Sequence, residues 1–214
     1  MDFIDPKLEE YAAIHSEQEN PLLSKINRET HLEVLMPRML SGHLQGRFLS
    51  LISKLKQPKM ILEIGTYTGY SALCLAEGLH PDGKLITIDL NEELEDRVNG
   101  YFAESDYNGK LEMKVGDATK IIPELDVEID LVFIDADKEN YSTYFDLVID
   151  KMAVGGLIIA DNVLWSGKVL DGFSEDDPST EALVEYNKKI QNSDRVQNVL
   201  LPIRDGLMVA QKVK

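Results

Sequence analysis

The stretch Ile61-Leu-Glu-Ile-Gly-Thr-Tyr-Thr-Gly-Tyr-Ser71 restricts the folds open to this chain more than any other. Ile61, Leu62 and Ile64 form a short apolar run of the kind a parallel sheet buries on both faces. Gly65 and Gly69 bracket a turn where the backbone can approach a ligand with no side chain between. Tyr70-Ser-Ala-Leu-Cys-Leu-Ala76 then repeats apolar residues at helical spacing. Strand, glycine turn and helix in this order predict an open α/β sheet, whose ligands bind at the carboxyl ends of its strands.

Charge narrows the ligand. A turn built for pyrophosphate aims bare N–H groups at an anion. Here Glu63 precedes the first glycine, the formal net charge is −16, and neither lysine nor arginine occurs from 60 to 83. A carboxylate suits an amine or hydroxyls better than a phosphate. The next strand, Lys84-Leu-Ile-Thr-Ile-Asp89, ends in an acid about 20 residues after the turn, where such folds hold ribose hydroxyls. Ribose plus a cationic amino-acid tail describes S-adenosylmethionine better than NAD. Gly65-Thr-Tyr-Thr-Gly69 also departs from the G-x-G-x-x-G spacing of dinucleotide turns. An NAD-dependent oxidoreductase is the alternative reading, and a non-enzymatic binding module is another.

A chain of 214 residues predicts one α/β domain with an N-terminal extension, large enough for a sizeable core. No apolar run reaches membrane-spanning length. Met1-Asp-Phe-Ile-Asp-Pro6 lacks the basic region and apolar core of a signal peptide. The single cysteine, Cys74, cannot form an internal disulfide, and its neighbours mark it as a helix-core residue. These features point to the cytoplasm and away from membranes. The acidic balance disfavours nucleic-acid backbones and favours solubility.

Residues 1–57 read as a helical extension and 58–214 as the sheet-bearing core. Lys7 to Gln18 and Leu22 to Val34 are amphipathic, and Pro37 breaks the pattern. A third helix begins at Ser41 or Gly42, with Leu44, Phe48, Leu51, Ile52 and Leu55 on one apolar stripe. The extension is expected to pack on the sheet, cover the ligand cleft or supply a dimer face. Met36-Pro-Arg-Met-Leu-Ser41 is either a connector or a segment reaching the ligand. From residue 59 strands and helices alternate, the signature of parallel βαβ units. Strands are expected at 59–64, 84–89, 111–115, 129–135 and 156–160. Asn91 and Asp177-Pro178 carry helix-start signals. Arg204-Asp-Gly206 separates two final strands as an antiparallel hairpin turn. Asp171-Gly-Phe-Ser-Glu-Asp-Asp-Pro178 reads as an exposed, mobile acidic loop.

A second constellation lies farther along. One strand ends Phe133-Ile-Asp135-Ala-Asp137-Lys138-Glu-Asn140-Tyr141 and the next ends Ile159-Ala-Asp161-Asn162. Asp135, Asp161 and Asn162 offer two carboxylates and an amide carbonyl, an all-oxygen set suited to Mg²⁺, Mn²⁺ or Ca²⁺ and not to zinc. The competing reading makes Asp161-Asn162 a turn and Asp135 a helix cap. Lys138 is a general-base candidate if its neighbours permit, and otherwise a solvated surface lysine. Trp165, the sole tryptophan, is either the wall of an aromatic-substrate pocket or a core residue.

These segments resemble the cation-dependent class I S-adenosylmethionine O-methyltransferases, the group of the caffeoyl-CoA and catechol O-methyltransferases and their bacterial relatives. The matching pieces are Leu62-Glu-Ile-Gly-Thr-Tyr-Thr-Gly-Tyr-Ser71, Thr87-Ile-Asp89, Gly116-Asp-Ala118, Phe133 to Tyr141, and Gly155-Gly through Asp161-Asn-Val-Leu-Trp-Ser-Gly167, in family order. The resemblance implies a Rossmann-like, seven-stranded, mostly parallel sheet with helices on both faces and a C-terminal antiparallel hairpin. It assigns Ser41, Glu63, Gly65, Tyr67, Ser71, Asp89, Asp117, Ala118 and Asp135 to the cofactor. Within that set Asp89 takes the ribose hydroxyls, residues 117–118 lie beside adenine, and Ser41 contacts the methionyl end. It assigns Asp135, Asp161 and Asn162 to a divalent metal, Mg²⁺ foremost, and Lys138 to proton transfer. It further implies a homodimer.

The chemistry implied is methyl transfer from S-adenosylmethionine to a hydroxyl of a vicinal dihydroxy aromatic, with the metal as Lewis acid and template. His43-Leu-Gln-Gly-Arg47 departs from the more acidic residues that many relatives carry there. The N-terminal segment and residues 164–177 set acceptor choice in such enzymes. The acidity of that loop favours a small catechol over a phosphate-rich CoA ester.

Overall fold

The computed structural model describes residues 5–170 and 177–214. The acidic stretch beginning at Asp171 therefore lies, as far as residue 176, outside the described residues, as do residues 1–4. The chain opens with α1 (Pro6–Ile14), α2 (Pro21–Glu33) and α3 (Gly42–Lys56). It continues through β1 (Met60–Ile64), α4 (Tyr70–Ala76), β2 (Lys84–Asp89), α5 (Glu95–Glu104) and β3 (Leu111–Val115). Then come α6 (Ala118–Glu124), β4 (Ile129–Ile134), α7 (Tyr141–Ile149), β5 (Met152–Asp161), α8 (Pro178–Asn192), β6 (Val196–Leu201) and β7 (Leu207–Lys212).

The strands form one seven-stranded sheet in the order β3-β2-β1-β4-β5-β7-β6. β1 with β2, β2 with β3, and β4 with β5 run parallel, whereas β7 is antiparallel to β5 and to β6. The Asp205-Gly206 turn joins that last pair, as its sequence predicts. β5 starts at Met152, earlier than the expected Gly156. A register shift admits the extra residues: Ile129 faces Met152 while Leu131 faces Leu157, with Gly155 at φ 81°. α1 ends at Ile14 and does not continue to Gln18. Ser16 Oγ donates back to the Ala12 carbonyl at 2.7 Å, a local bond that competes with further helix. Asn20 Oδ1 accepts the Leu23 amide at 2.9 Å and starts α2.

Residues 5–117 form one compact unit and residues 118–214 another. In the first, α3 packs on α4, with its buried face rotated away from the expected stripe. Leu51 and Leu55 are 56% and 74% exposed, while Gln45, Gly46, Arg47, Leu49, Ser50 and Ser53 are buried. The reason is the closeness of approach. A Cβ at Gly46 would lie 2.7 Å from Tyr70 and 2.8 Å from Cys74 Sγ, and one at Gly78 would lie 2.1 Å from the Ser53 backbone. Only small residues fit such a contact, so Leu51 and Leu55 are left outside while Leu44, Phe48 and Ile52 are half-buried.

Burying that face takes Arg47 inside with it. Arg47 Nη2 donates to Glu77 Oε1 at 2.7 Å and Nη1 to Oε2 at 3.1 Å, a two-pronged pair. Ser50 Oγ and Lys54 Nζ reach the same carboxylate at 2.7 and 2.9 Å. Cys74 is fully buried beside them, and burial pushes its thiol up to about 12 against the opposing pull of Arg47. It is a packing residue, as its sequence neighbours predict.

In the second unit Leu131, Val132, Phe133 and Ile134 of β4 and Ile158, Ile159 and Ala160 of β5 are completely buried. Such unbroken apolar runs are what strands covered on both faces require. Tyr141 of α7 meets Tyr186 of α8 edge-on, with centroids 5.4 Å apart. Asp177 accepts the Thr180 amide and opens α8. Among the described residues, no helix is long and apolar enough to cross a membrane.

Burial alone would raise the Glu77 carboxyl, but hydrogen bonds from Arg47, Ser50 and Lys54 overcome it and hold the group below its usual value. A carboxyl depressed in the folded state stabilises above its unfolded pKa and loses that contribution as pH falls through the folded value. Glu77→Gln should therefore cost about 3 kcal/mol near neutrality, the scale of a broken buried pair. Urea unfolding at neutral pH and again below pH 4 should show the difference between variant and wild type shrinking in acid.

Candidate active site

Each unit carries its own group of polar side chains at strand carboxyl ends. In the first unit the parallel strands β1, β2 and β3 end at Ile64, Asp89 and Val115. The turn after β1 holds Gly65, Tyr67 and Gly69 at φ 101°, 47° and 77°. A left-handed tyrosine is costly unless its surroundings hold it, on the order of 1–2 kcal/mol. Asp89 holds it: Oδ2 accepts the amides of Thr66 and Tyr67 at 2.9 and 2.8 Å, and Oδ1 accepts the Asn91 amide at 2.9 Å. A carboxylate accepts roughly four hydrogen bonds, so Asp89 both shapes the turn and keeps acceptor capacity.

Glu63 is fully buried. Its Oε2 accepts from Thr87 Oγ1 at 2.6 Å, and Thr87 Oγ1 lies 2.5 Å from Thr66 Oγ1. Glu63 thus supports the turn through two threonines that the sequence did not single out. The signal available was Thr87, two residues ahead of Asp89 on the same strand. Ser41, just before α3, and Ser71, in the first turn of α4, are both buried. Tyr67 Oη donates to the Leu35 carbonyl at 2.9 Å, so the chain after α2 does reach the glycine turn. Asp117 follows Gly116, whose amide donates to the Asp89 carbonyl at 2.8 Å. Ala118 begins α6 and is buried.

In the second unit the register sets Ile134 of β4 opposite Ala160 of β5, so Asp135 and Asp161 follow at adjacent strand ends. Asp161 is 3% exposed, and its Oδ1 accepts the Asn162 amide at 2.7 Å. Lys138 lies in the short turn Lys138–Asn140. Its Nζ donates to Asp135 Oδ1 at 3.2 Å, Asn162 Oδ1 at 2.9 Å and Tyr141 Oη at 2.7 Å. With side chains only 10% and 20% exposed, Lys138 and Asp135 are not a solvated surface pair. Tyr141 Oη donates to the Asp161 carbonyl at 2.9 Å. Burial first, then the Asp135 and Asp161 charges, push the Tyr141 phenol well up, so it remains a neutral donor. The cap of the following turn is Asp137, not Asp135.

Trp165 is neither core nor fully open. Its indole N–H is buried without a hydrogen-bond partner, and the Lys138 and Lys168 ammonium groups each lie 5.9 Å from its ring. Asn162, Trp165 and Ser166 all have left-handed backbones. Among the described residues, no three His, Cys, Asp or Glu side chains gather to hold an ion. The side-chain oxygens that do converge come from one carboxylate and one amide. Asp135 and Asn162 already direct oxygens at one cationic point, the Lys138 ammonium. That convergence fits a hard, oxygen-liganded cation.

The sheet order with its antiparallel end, and the glycine turn backed by an acid at the tip of β2, define a Rossmann-like class I S-adenosylmethionine-dependent methyltransferase. The O-methyltransferase family model matches residues 13–213, and the chain belongs to that family, within its caffeoyl-CoA O-methyltransferase type. A protein of Dictyostelium discoideum described as probable caffeoyl-CoA O-methyltransferase 2 is 31% identical over 208 residues, covering 95% of this chain and 90% of the relative. Among solved structures, the O-methyltransferase TomG of Streptomyces achromogenes, involved in tomaymycin synthesis and in complex with SAM, superposes with a TM-score of 0.91. It is 28% identical, over 97% of this chain and 96% of its own. An O-methyltransferase of Bacillus cereus in complex with SAH gives 0.89 at 27% identity, over 96% and 97%. The family sets aside the NAD-dependent oxidoreductase alternative.

Tyr141→Phe removes the hydroxyl that receives Lys138 and serves the Asp161 carbonyl. Losing these buried hydrogen bonds should cost about 1–2 kcal/mol, measurable as a lower urea midpoint with an unchanged slope.

Proposed function

We propose that this O-methyltransferase moves the methyl group of S-adenosylmethionine to one hydroxyl of a vicinal dihydroxy aromatic, with the help of a divalent cation. The observation that carries the reading is the meeting of Asp135 and Asn162 oxygens at the Lys138 ammonium, beside the Asp161 tip. The bound SAM and SAH of the neighbours support the donor. The caffeoyl group in the relatives' names is itself a vicinal diol, which supports the acceptor class.

In this reading residues 5–117, with Ala118 and Asp135, serve the donor. Asp89 has acceptor capacity for ribose hydroxyls, Gly65 and Tyr67 present backbone, and Ser41, Ser71, Glu63 and Asp117 complete or support the binding groups, with Ala118 beside the adenine. Residues 118–214 serve the acceptor. Asp135, Asp161 and Asn162 would hold Mg²⁺, or alternatively Mn²⁺ or Ca²⁺, and such an ion supplies Lewis acidity and orients both diol oxygens. Lys138, once its own proton has passed to solvent, takes the hydroxyl proton as the neutral amine, and Asp135 and Asn162 steady the ammonium that results. The phenolate oxygen then bonds to the methyl carbon as the carbon–sulfur bond breaks, leaving S-adenosylhomocysteine. Trp165 borders the acceptor, where its ring suits an aromatic partner. The acidity of the chain favours a small catechol over a CoA ester. A homodimer belongs to the same reading, supported by the exposed Leu8, Tyr11, Leu35, Leu51 and Leu55 of the N-terminal helices and connector.

The test is a methyl-transfer assay on a catechol panel and caffeoyl-CoA, with Mg²⁺ and with chelator. Methylation should require the metal. Asp161→Ala should abolish it while leaving S-adenosylmethionine affinity within about threefold, as expected for independent sites. Full activity of Asp161→Ala in chelator would exclude the metal role.

A further inference from the structure

The residues after Asp161 form a loop with an unusual backbone. Asn162, Trp165 and Ser166 have φ of 60°, 54° for the serine and 47° for the tryptophan, and none is glycine. Local preference does not hold a bulky residue there, so contacts from elsewhere must. They come from the turn between β6 and β7. Asp205 Oδ1 accepts the Ser166 amide at 2.5 Å. The Asp205 carbonyl accepts the Leu164 amide at 2.9 Å, and the Gly206 carbonyl accepts the Val163 amide at 3.2 Å. Gly206 has φ 89°, and a Cβ there would lie 2.5 Å from Leu164 Cγ, so the two segments touch backbone to side chain. Asn187 Nδ2 adds a bond from α8 to the Val163 carbonyl at 2.8 Å.

Of these contacts only one uses a side chain of the hairpin turn, and it lands beside Trp165. We infer that Asp205 is a positioning residue for methyl transfer: its carboxylate fixes the Ser166 amide, and thereby sets Asn162 and the Trp165 ring for the acceptor. The inference rests on the proposed acceptor role of Asn162 and Trp165. Asp205 acts as a hydrogen-bond acceptor here, since it meets a neutral backbone amide. An asparagine, which keeps an acceptor oxygen, should therefore substitute for it.

The test compares Asp205→Ala and Asp205→Asn with wild type in kcat and KM and in acrylamide quenching of fluorescence. Trp165 is the only tryptophan in the chain, so emission reports on this loop alone. Asp205→Ala should lower kcat by about tenfold to a hundredfold, the usual effect of a small misplacement, with the donor KM within about twofold. Its quenching should rise. Asp205→Asn should stay within about threefold of wild type on every readout, because the acceptor survives. Hydrogen exchange at the Ser166 amide of wild type should be slow. Wild-type kcat and quenching in Asp205→Ala would overturn the inference. So would an Asp205→Asn as impaired as the alanine variant, or an unprotected Ser166 amide, which needs no variant to fold. A wild-type enzyme that methylates no diol would count against the proposed function, while quenching and exchange would still decide the role of Asp205 in the loop.

Discussion

The parallel register of β4 and β5 places Ile134 opposite Ala160, and the polar cluster of the second unit depends on it. One step beyond that pair, both strands end in aspartate. Two carboxylates at adjacent tips repel each other unless a cation lies between or beside them. Lys138 supplies one from three residues downstream of Asp135, and Tyr141, three residues farther on, ties that ammonium to the Asp161 backbone. Shifting the register by one residue would turn Asp135 or Asp161 to the opposite face. The oxygens that now meet at one point would then be dispersed.

The two units solve their electrostatic problems differently. In the first, the acid Asp89 is neutralised by backbone dipoles: amides from a left-handed turn point at it, and the turn keeps its shape because they do. Charge and conformation stabilise one another there without any lysine or arginine. In the second, a full side-chain charge is used. The first arrangement suits hydroxyls and a cationic tail, and the second suits a metal and a proton in transit. Strained backbone accompanies both, at Tyr67 and at Asn162, Trp165 and Ser166, and an aspartate from another strand end or turn accepts the amide of Tyr67 and of Ser166.

The helical leader shows packing overruling periodicity. A helix with leucines at regular spacing is expected to bury them. In α3 the contact with α4 is so close that glycine and serine line it, and Arg47 enters by pairing with Glu77. Leu51 and Leu55 stay exposed as a result.

Much of the molecule was legible in the chain alone. The apolar runs ending in Glu63-Ile-Gly65, Asp89, Asp135 and Asp161-Asn162 specify strands buried on both faces whose tips carry polar groups, because period, turn chemistry and charge all act locally. The Asp-Gly hairpin and the caps at Asn91 and Asp177 are local in the same sense. What tertiary structure alone decided are contacts between segments far apart in sequence: the face α3 turns inward, the threonine relay from Glu63 to the glycine turn, the joining of Lys138 to Asn162, and the grip of Asp205 on Ser166. Each depends on how closely two backbones approach and which side chain is then within hydrogen-bond reach. Neither residue type nor spacing records such distances, so they come into being only when the sheet is assembled.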